Sequence, residues 1–170
     1  MVARIAILGA ESTGKSTLAA ALAAHYQTLW VPEYLREFVE TEGRTPQEHE
    51  QIGIATMQVA REERAMGAAN RLIFCDTTPL MTAIYSHFYW GRVDAPLAAL
   101  ARSRSYDFTF VTAPDGLWVA DGLQRESAAV QQLIHVQLLA ALAQSHTRYL
   151  LLAGDVQARV QQVASHLNIQ

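Results

Sequence analysis

The sequence predicts a three-layer α/β protein in which a five-stranded parallel sheet is covered by helices on both faces. Three observations carry that expectation. Short apolar runs recur along the chain, and a helical stretch follows each of them. The runs lack polar alternation, as strands buried on both faces do. The first run leads into Gly9-Ala10-Glu11-Ser12-Thr13-Gly14-Lys15-Ser16-Thr17, a glycine-rich loop that opens onto a helix.

The elements follow in order. Arg4 to Leu8 is the first strand, and an alanine-rich helix runs from the loop to Tyr26. Tyr26 to Val31 reads as the second strand, stopped by Pro32-Glu33. Tyr34 to Thr41 reads as a helix with Leu35, Phe38 and Val39 on one face. Thr45-Pro46-Gln47-Glu48 predicts the next helix start, with Thr45 as cap, Pro46 at the first position and Glu48 closing a capping box. Ile52, Ala55, Val59 and Met66 give that helix an apolar stripe. Arg71 to Cys75 is a strand with Asp76 at its carboxyl end, and Pro79 to Tyr89 and Ala95 to Arg102 are helical. Tyr106 to Thr112 is a strand. A long helix from about Glu126 to Gln144 follows, striped by Val130, Leu133, Ile134, Leu138, Ala141 and Leu142. Tyr149 to Leu152 is the last strand, and Val156, Val160, Val163 and Leu167 line one face of a terminal helix.

The chain of 170 residues reads as a single domain, with a candidate lid at about 114–130. Its net charge of −3 supplies no basic field for nucleic acid and no polybasic membrane patch. No run reaches the length of a membrane span, and the opening residues contain no signal-peptide core. Cys75 is the one cysteine, which excludes an internal disulfide and points to a cytoplasmic location. The six histidines are scattered, so no structural zinc set is expected. Cys75 reads as an inert core thiol.

The pattern G-x-x-x-x-G-K-S carries the chemistry. Gly9 and Gly14 let the backbone bend so that several N–H groups converge on one concavity, to which the helix start adds its positive dipole end. Gly9, Glu11, Ser12, Thr13, Gly14, Lys15, Ser16 and Thr17 are therefore the expected nucleotide-binding set. Lys15 is placed to reach the β- and γ-phosphates of ATP and the Ser16 hydroxyl to ligate Mg²⁺. This is the phosphate-binding loop of P-loop NTPases, and the fold expected is the nucleotide-kinase-like form of that architecture. Ligands of such sheets sit at the carboxyl ends of the strands, which gathers the loop, Glu33, Asp76, Pro114-Asp115 and Gly154-Asp155 on one rim.

Asp76 is a candidate second ligand for Mg²⁺ beside Ser16, or alternatively a cap for the helix that follows. Glu33 is a candidate base for an acceptor hydroxyl, or an acid stabilised by the start of a helix. Glu37 lies one turn further on. Arg125 is placed to close over the phosphates, whereas Arg102 and Arg104 read as solvated. Trp30, Tyr34, Trp90 and Trp118 flank rim loops and are candidate stacking partners for a flat heterocycle, while Phe88 and Tyr89 read as packing. No N-K-x-D or L-S-G-G-Q run is present, which argues against a switch GTPase and a transporter ATPase.

The blocks Gly9 to Ser16, Glu33-Tyr34-Leu35-Arg36-Glu37-Phe38, Ile73 to Thr78, Tyr106-Asp107, and Pro114-Asp115 through Trp118 to Asp121-Gly122-Leu123 resemble the ribosylnicotinamide kinase domain of the NadR family. They occur in the family's order. The resemblance implies ATP- and Mg²⁺-dependent phosphorylation of the 5′-hydroxyl of nicotinamide riboside, giving nicotinamide mononucleotide for NAD synthesis. It also implies an aromatic sandwich around the pyridinium ring. The chain departs from the family at Pro32, where the family carries Trp, at Thr78, where it carries a second acid, and at Gln124, where it carries Arg. A kinase for another nucleoside or nucleotide, and an ATP-binding sensor with weakened catalysis, are the two alternative readings.

Overall fold

The computed structural model of the chain describes residues 1–116, 119 and 127–167. Strands β1 (Ala3–Leu8), β2 (Leu29–Val31), β3 (Leu72–Asp76), β4 (Phe108–Thr112) and β5 (Leu150–Leu152) form one sheet in the order β2-β3-β1-β4-β5. Every strand pair is parallel, as expected. The helices are α1 (Lys15–His25), α2 (Tyr34–Glu42), α3 (Gln51–Ala68), α4 (Pro79–Trp90), α5 (Ala95–Ser103), α6 (Ala128–Gln144) and α7 (Val156–Leu167).

Alternation along the strands sorts the core into two layers. Ile5 and Ile7 of β1 face Leu18 and Leu22 of α1 and Val160 and Val163 of α7, with Phe74 and Phe110 beside them. Ala6 and Leu8 face the other way, toward Met81 and Ile84 of α4 and Ile134, Leu138 and Leu142 of α6. The central position of β1 sets the site. Its register pairs Ile7 with Asp76 and Leu8 with Val111, so the glycine-rich loop leaves the sheet between the ends of β3 and β4.

Several boundaries differ from the expectation. Tyr26 ends α1 by donating its backbone N–H to Leu22, and Gln27 turns the chain at φ 49°, so β2 begins only at Leu29. The helix start near Thr45 lies two residues later. Gln47 and Glu50 form the capping box around a 3-10 turn (Glu48–Glu50), because Arg44 holds the Glu50 carboxylate at 2.7 and 2.8 Å. That pair holds the Glu50 carboxyl down at about 2. Helix α3 buries Gln51, Gln58 and Glu62 alongside Ile54 and Ala55, while Ile52 is only half-buried. On α6, Leu133, expected in the apolar stripe, is exposed, and Gln131 is buried beside Ile134, Leu138 and Leu142.

Arg104, expected to be solvated, is instead part of a charged cluster at the amino ends of the strands. Glu62 is fully buried and accepts from Arg104 at 2.7 Å and from the Tyr106 hydroxyl at 3.0 Å. Glu63 accepts from Arg104 and Arg4 at 2.7 and 2.9 Å. Burial, and then the Glu62 charge, push the Tyr106 phenol well above its ordinary range, so it remains a donor. The cluster ties α3 to β1 and to the segment between α5 and β4, on the rim opposite the glycine-rich loop.

Removing Glu62 leaves the Tyr106 phenol and one arm of Arg104 without their shared acceptor and takes a counter-charge from beside Arg4. Glu62→Ala is expected to cost about 3–5 kcal/mol of unfolding free energy, and Glu62→Gln less. Urea denaturation checks this; an unchanged midpoint in Glu62→Ala would mean that the cluster contributes nothing.

Candidate functional site

A phosphate cradle needs amide groups facing inward, and that requires the loop's carbonyls to face outward and find partners of their own. The described residues supply them. Thr13 Oγ1 and Lys15 Nζ donate to the Ala10 carbonyl at 2.7 and 2.9 Å. Gln131 Nε2, from α6, donates to the Glu11 carbonyl at 2.9 Å. Arg159, from α7, donates to the Thr13 carbonyl. The Glu11 amide in turn donates to the Tyr85 hydroxyl at 2.9 Å. Ser12 closes the loop's outer side, its hydroxyl donating to the Val119 carbonyl at 2.5 Å.

Gly9 is dictated by a close approach. A Cβ there would lie 2.1 Å from Thr112 Oγ1 and 2.8 Å from Thr13 Oγ1. With the Thr13 hydrogen given to the Ala10 carbonyl, the Thr112 hydroxyl donates to Thr13 Oγ1 at 2.6 Å, and the Leu8 carbonyl lies 3.2 Å from Thr112 Oγ1. The end of β4 is thereby stitched to the start of the loop. Gly14 adopts φ 84°, ψ 21° and forms the N-cap of α1, a left-handed conformation that favours glycine.

Ser16 Oγ donates to Asp76 Oδ2 at 2.5 Å, so the two expected metal residues meet. Asp76 is 1% exposed, and its Oδ1 is buried with no hydrogen-bond partner among the described residues. The helix-cap alternative does not hold, because Thr78 occupies the N-cap position of α4. No cluster of three or more His, Cys, Asp or Glu exists among the described residues. The oxygens present nevertheless fit Mg²⁺, which takes one or two protein oxygens and completes its shell with water and phosphate. Thr77, next to Asp76, has φ 73°, an unusual conformation for a β-branched residue, and its amide donates to the Ile7 carbonyl at 3.0 Å.

The loop opens onto a cavity of about 770 Å³. Glu33, Trp30 and Trp90 border it, together with Arg36, Tyr85 and Tyr89. Glu33 is the N-cap residue of α2, yet its side chain makes no capping bond to the helix. Tyr89, expected to be packing, is 47% exposed at the cavity, with its ring stacked on Tyr85 at a 6.3 Å centroid distance. Phe88 packs into the core as expected.

Tyr34 and Glu37 do not border the cavity. Both turn toward α3, where the Arg61 guanidinium lies over the Tyr34 ring at 4.6 Å and pairs with both Glu37 oxygens at 2.7 and 2.8 Å. The Arg61 hydrogen bond pulls the Glu37 carboxyl below its ordinary value. Trp118, Asp121, Gly122, Gln124 and Arg125, with most of the candidate lid, lie outside the described residues.

Four positioning side chains were not legible in the sequence. Gln58 accepts from the Tyr34 amide at 2.8 Å and donates to the Asp76 carbonyl at 3.4 Å, joining the Glu33 end of α2 to the end of β3. Thr112 and Gln131 act on the loop as described. Arg159 also reaches the Ala113 carbonyl at 3.0 Å and Asp115 Oδ1 at 2.7 Å. Asp115 Oδ2 accepts from the Gly154 amide at 2.6 Å, and that bond, then the nearby Arg159 charge, hold the carboxyl below its usual range. The one available signal was a polar residue inside an apolar helical face, as at Gln58 and Gln131.

Residues 4–159 match the model of the family described as an AAA domain. Over 144 residues the chain is 30% identical to the trifunctional NAD biosynthesis/regulator protein NadR of Salmonella typhimurium, covering 81% of this chain and 35% of that protein. The chain thus spans about a third of the length of that curated relative, and 36% of the Escherichia coli NadR that it also matches at 30% identity. Among solved structures, NadR in complex with NR superposes with a TM-score of 0.84 at 18% identity, over 99% of this chain and 52% of that one. A deoxyadenosine kinase from M. mycoides superposes with a TM-score of 0.67 at 16% identity, over 97% and 98%. At these identities the two structures establish the fold. No helix among the described residues is long and apolar enough to cross a membrane.

Gly9→Ala forces its methyl group into Thr112 and Thr13, and a loss of about 1–3 kcal/mol is expected by thermal unfolding. Asp115 gives a pH signature. Its folded pKa is depressed, so its contribution is complete above its unfolded value near ~4 and is lost as pH falls through the folded value. Asp115→Asn is therefore expected to flatten the stability profile below about pH 4, read as Tm against pH. An acid limb identical to that of the unaltered chain would show that this pairing does not stabilise the fold.

Proposed function

The chain belongs to the AAA-domain family, and from that premise we propose that it is an ATP- and Mg²⁺-dependent kinase that phosphorylates nicotinamide riboside to nicotinamide mononucleotide. One observation carries the reading. The phosphate loop, the Ser16–Asp76 pair, Glu33 and an aromatic wall all border a single cavity. The similarity to NadR, one solved structure of which is a complex with NR, supports the choice of acceptor. The aromatic wall suits a cationic heterocycle, which is attracted to the faces of Trp30, Tyr85, Tyr89 and Trp90.

The loop amides and Lys15 hold the β- and γ-phosphates. Lys15 is bonded to the Ala10 carbonyl and exchanges that partner for phosphate oxygen. Ser16 and Asp76 would hold Mg²⁺, which when bound offsets charge on the phosphates. Glu33 accepts the proton of the acceptor hydroxyl. Asp76 is the less suitable base, being buried and already engaged by Ser16. The hydroxyl oxygen forms a bond to the γ-phosphorus as the bond from that phosphorus to the β–γ bridging oxygen breaks, and ADP leaves with the electron pair. Catalysis then rests on placement of the two reactants and on electrostatic stabilisation. Arg125 and Trp118 are proposed to complete the site from the lid.

Incubation with ATP, Mg²⁺ and a panel of nucleosides, read by mass spectrometry, tests the acceptor. Nicotinamide riboside is expected to gain one phosphoryl group; phosphorylation of other nucleosides but never of this one would end the substrate claim. Lys15→Ala is expected to lower kcat by roughly 10²–10³-fold with the fold intact. Glu33→Gln is expected to lower it by about 10²-fold or more with the KM for ATP unchanged.

A further inference from the structure

Arg159 is 6% exposed and lies in the first turns of α7, at the back of the phosphate loop. Its guanidinium reaches three acceptors on two segments. One is the Thr13 carbonyl in the loop; the others are the Ala113 carbonyl and Asp115 Oδ1 in the turn after β4. Asp115 extends the link to the turn after β5 through the Gly154 amide at 2.6 Å. The loop passes close over the guanidinium, since a Cβ at Gly14 would lie 3.1 Å from Arg159 Nη1.

We propose that Arg159 is a positioning residue for phosphate binding. Its side chain does not border the cavity. It acts through the Thr13–Gly14 peptide, whose carbonyl it holds. A trans peptide is planar, with its C=O and N–H pointing in opposite directions. Fixing the Thr13 carbonyl against Arg159 therefore directs the Gly14 N–H the other way, toward the concave side of the loop where an anion is bound. Without that anchor the peptide can rotate, and the cradle loses an amide at the junction with α1. The planar fork of donors is what the task requires, because a lysine ammonium in the same place cannot hold three acceptors in one plane. The link to Asp115 and Gly154 also makes the loop's orientation depend on the turns after β4 and β5, on the side of the loop away from the aromatic wall.

The inference rests on the reading of this loop as an ATP site, so the test measures ATP binding directly rather than turnover. The unaltered chain, Arg159→Lys and Arg159→Met are compared by calorimetry with ATP and Mg²⁺, and separately with nicotinamide riboside, alongside thermal unfolding without ligand. Arg159→Met is expected to weaken ATP binding by roughly tenfold to a hundredfold, and Arg159→Lys by less. Affinity for nicotinamide riboside is expected to stay within about twofold, a split that a general loss of structure does not produce. Should Arg159→Met fail to fold, Arg159→Lys decides. Unchanged ATP affinity in a folded variant, or equal loss of both ligands, overturns the proposal. If the unaltered chain binds no ATP, the reading of the loop fails first and the proposal with it. If it binds ATP but not nicotinamide riboside, only the acceptor is wrong, and the ATP comparison still decides the role of Arg159.

Discussion

The outward carbonyls of the phosphate loop are the constraint on which the rest of the site depends. An amide cradle can be concave only if the opposite side of each peptide is satisfied elsewhere. This chain meets the requirement with side chains from three directions. Thr13 and Lys15 serve Ala10 from within the loop and α1, Gln131 reaches in from α6, and Arg159 from α7. Two of these donors are buried polar groups in helices whose remaining inward residues are apolar. Burying them unpaired would be costly, so their burial and the loop's shape are two sides of one arrangement.

Sheet topology then distributes function between the two rims. With β1 between β3 and β4, the loop, Asp76 and Thr112 converge at the carboxyl ends without any long connection. The amino ends carry the Glu62 cluster instead, which joins α3 to β1 and to the residues before β4. Helix α3 contributes to both rims. Gln58 fastens Tyr34 and the carbonyl of Asp76 near the cavity, and Glu62, one turn on, anchors the other end. The polar residues on its buried face hold the Glu33 end of α2 and the end of β3 in a fixed relation.

The sheet, the loop and the meeting of Ser16 with Asp76 were legible because each has a local signature: apolar runs, a glycine pattern, and an acid at a strand end. What was not legible depends on partners distant in sequence. Tyr34 and Glu37 looked available because nothing near them indicated Arg61, which lies on another helix. Arg104 looked solvated because its acceptors Glu62 and Glu63 are some forty residues away in sequence. Gln131 and Arg159 broke the apolar pattern of their helices, and that irregularity was the trace of a partner 120 and 146 residues distant. Tyr89 differs for the opposite reason: helical spacing predicts core, but it sits at the last turn of α4, where the cavity begins.

The shift of tryptophan from position 32 to position 30, relative to the resembling family, does not remove an aromatic from the cavity. Residues two apart in extended chain point to the same side. Trp30 and Pro32 both border the cavity accordingly, with Val31 between them buried on the other side. The indole sits one step deeper, half-buried against the layer that contains Phe74 and Leu72. A ring held on one side by the core loses little further freedom when a flat ligand covers its other side. Proline at position 32 stiffens the chain immediately before Glu33, because its ring restricts φ. The exchange thus keeps an aromatic surface in the cavity wall and restricts the backbone immediately before Glu33.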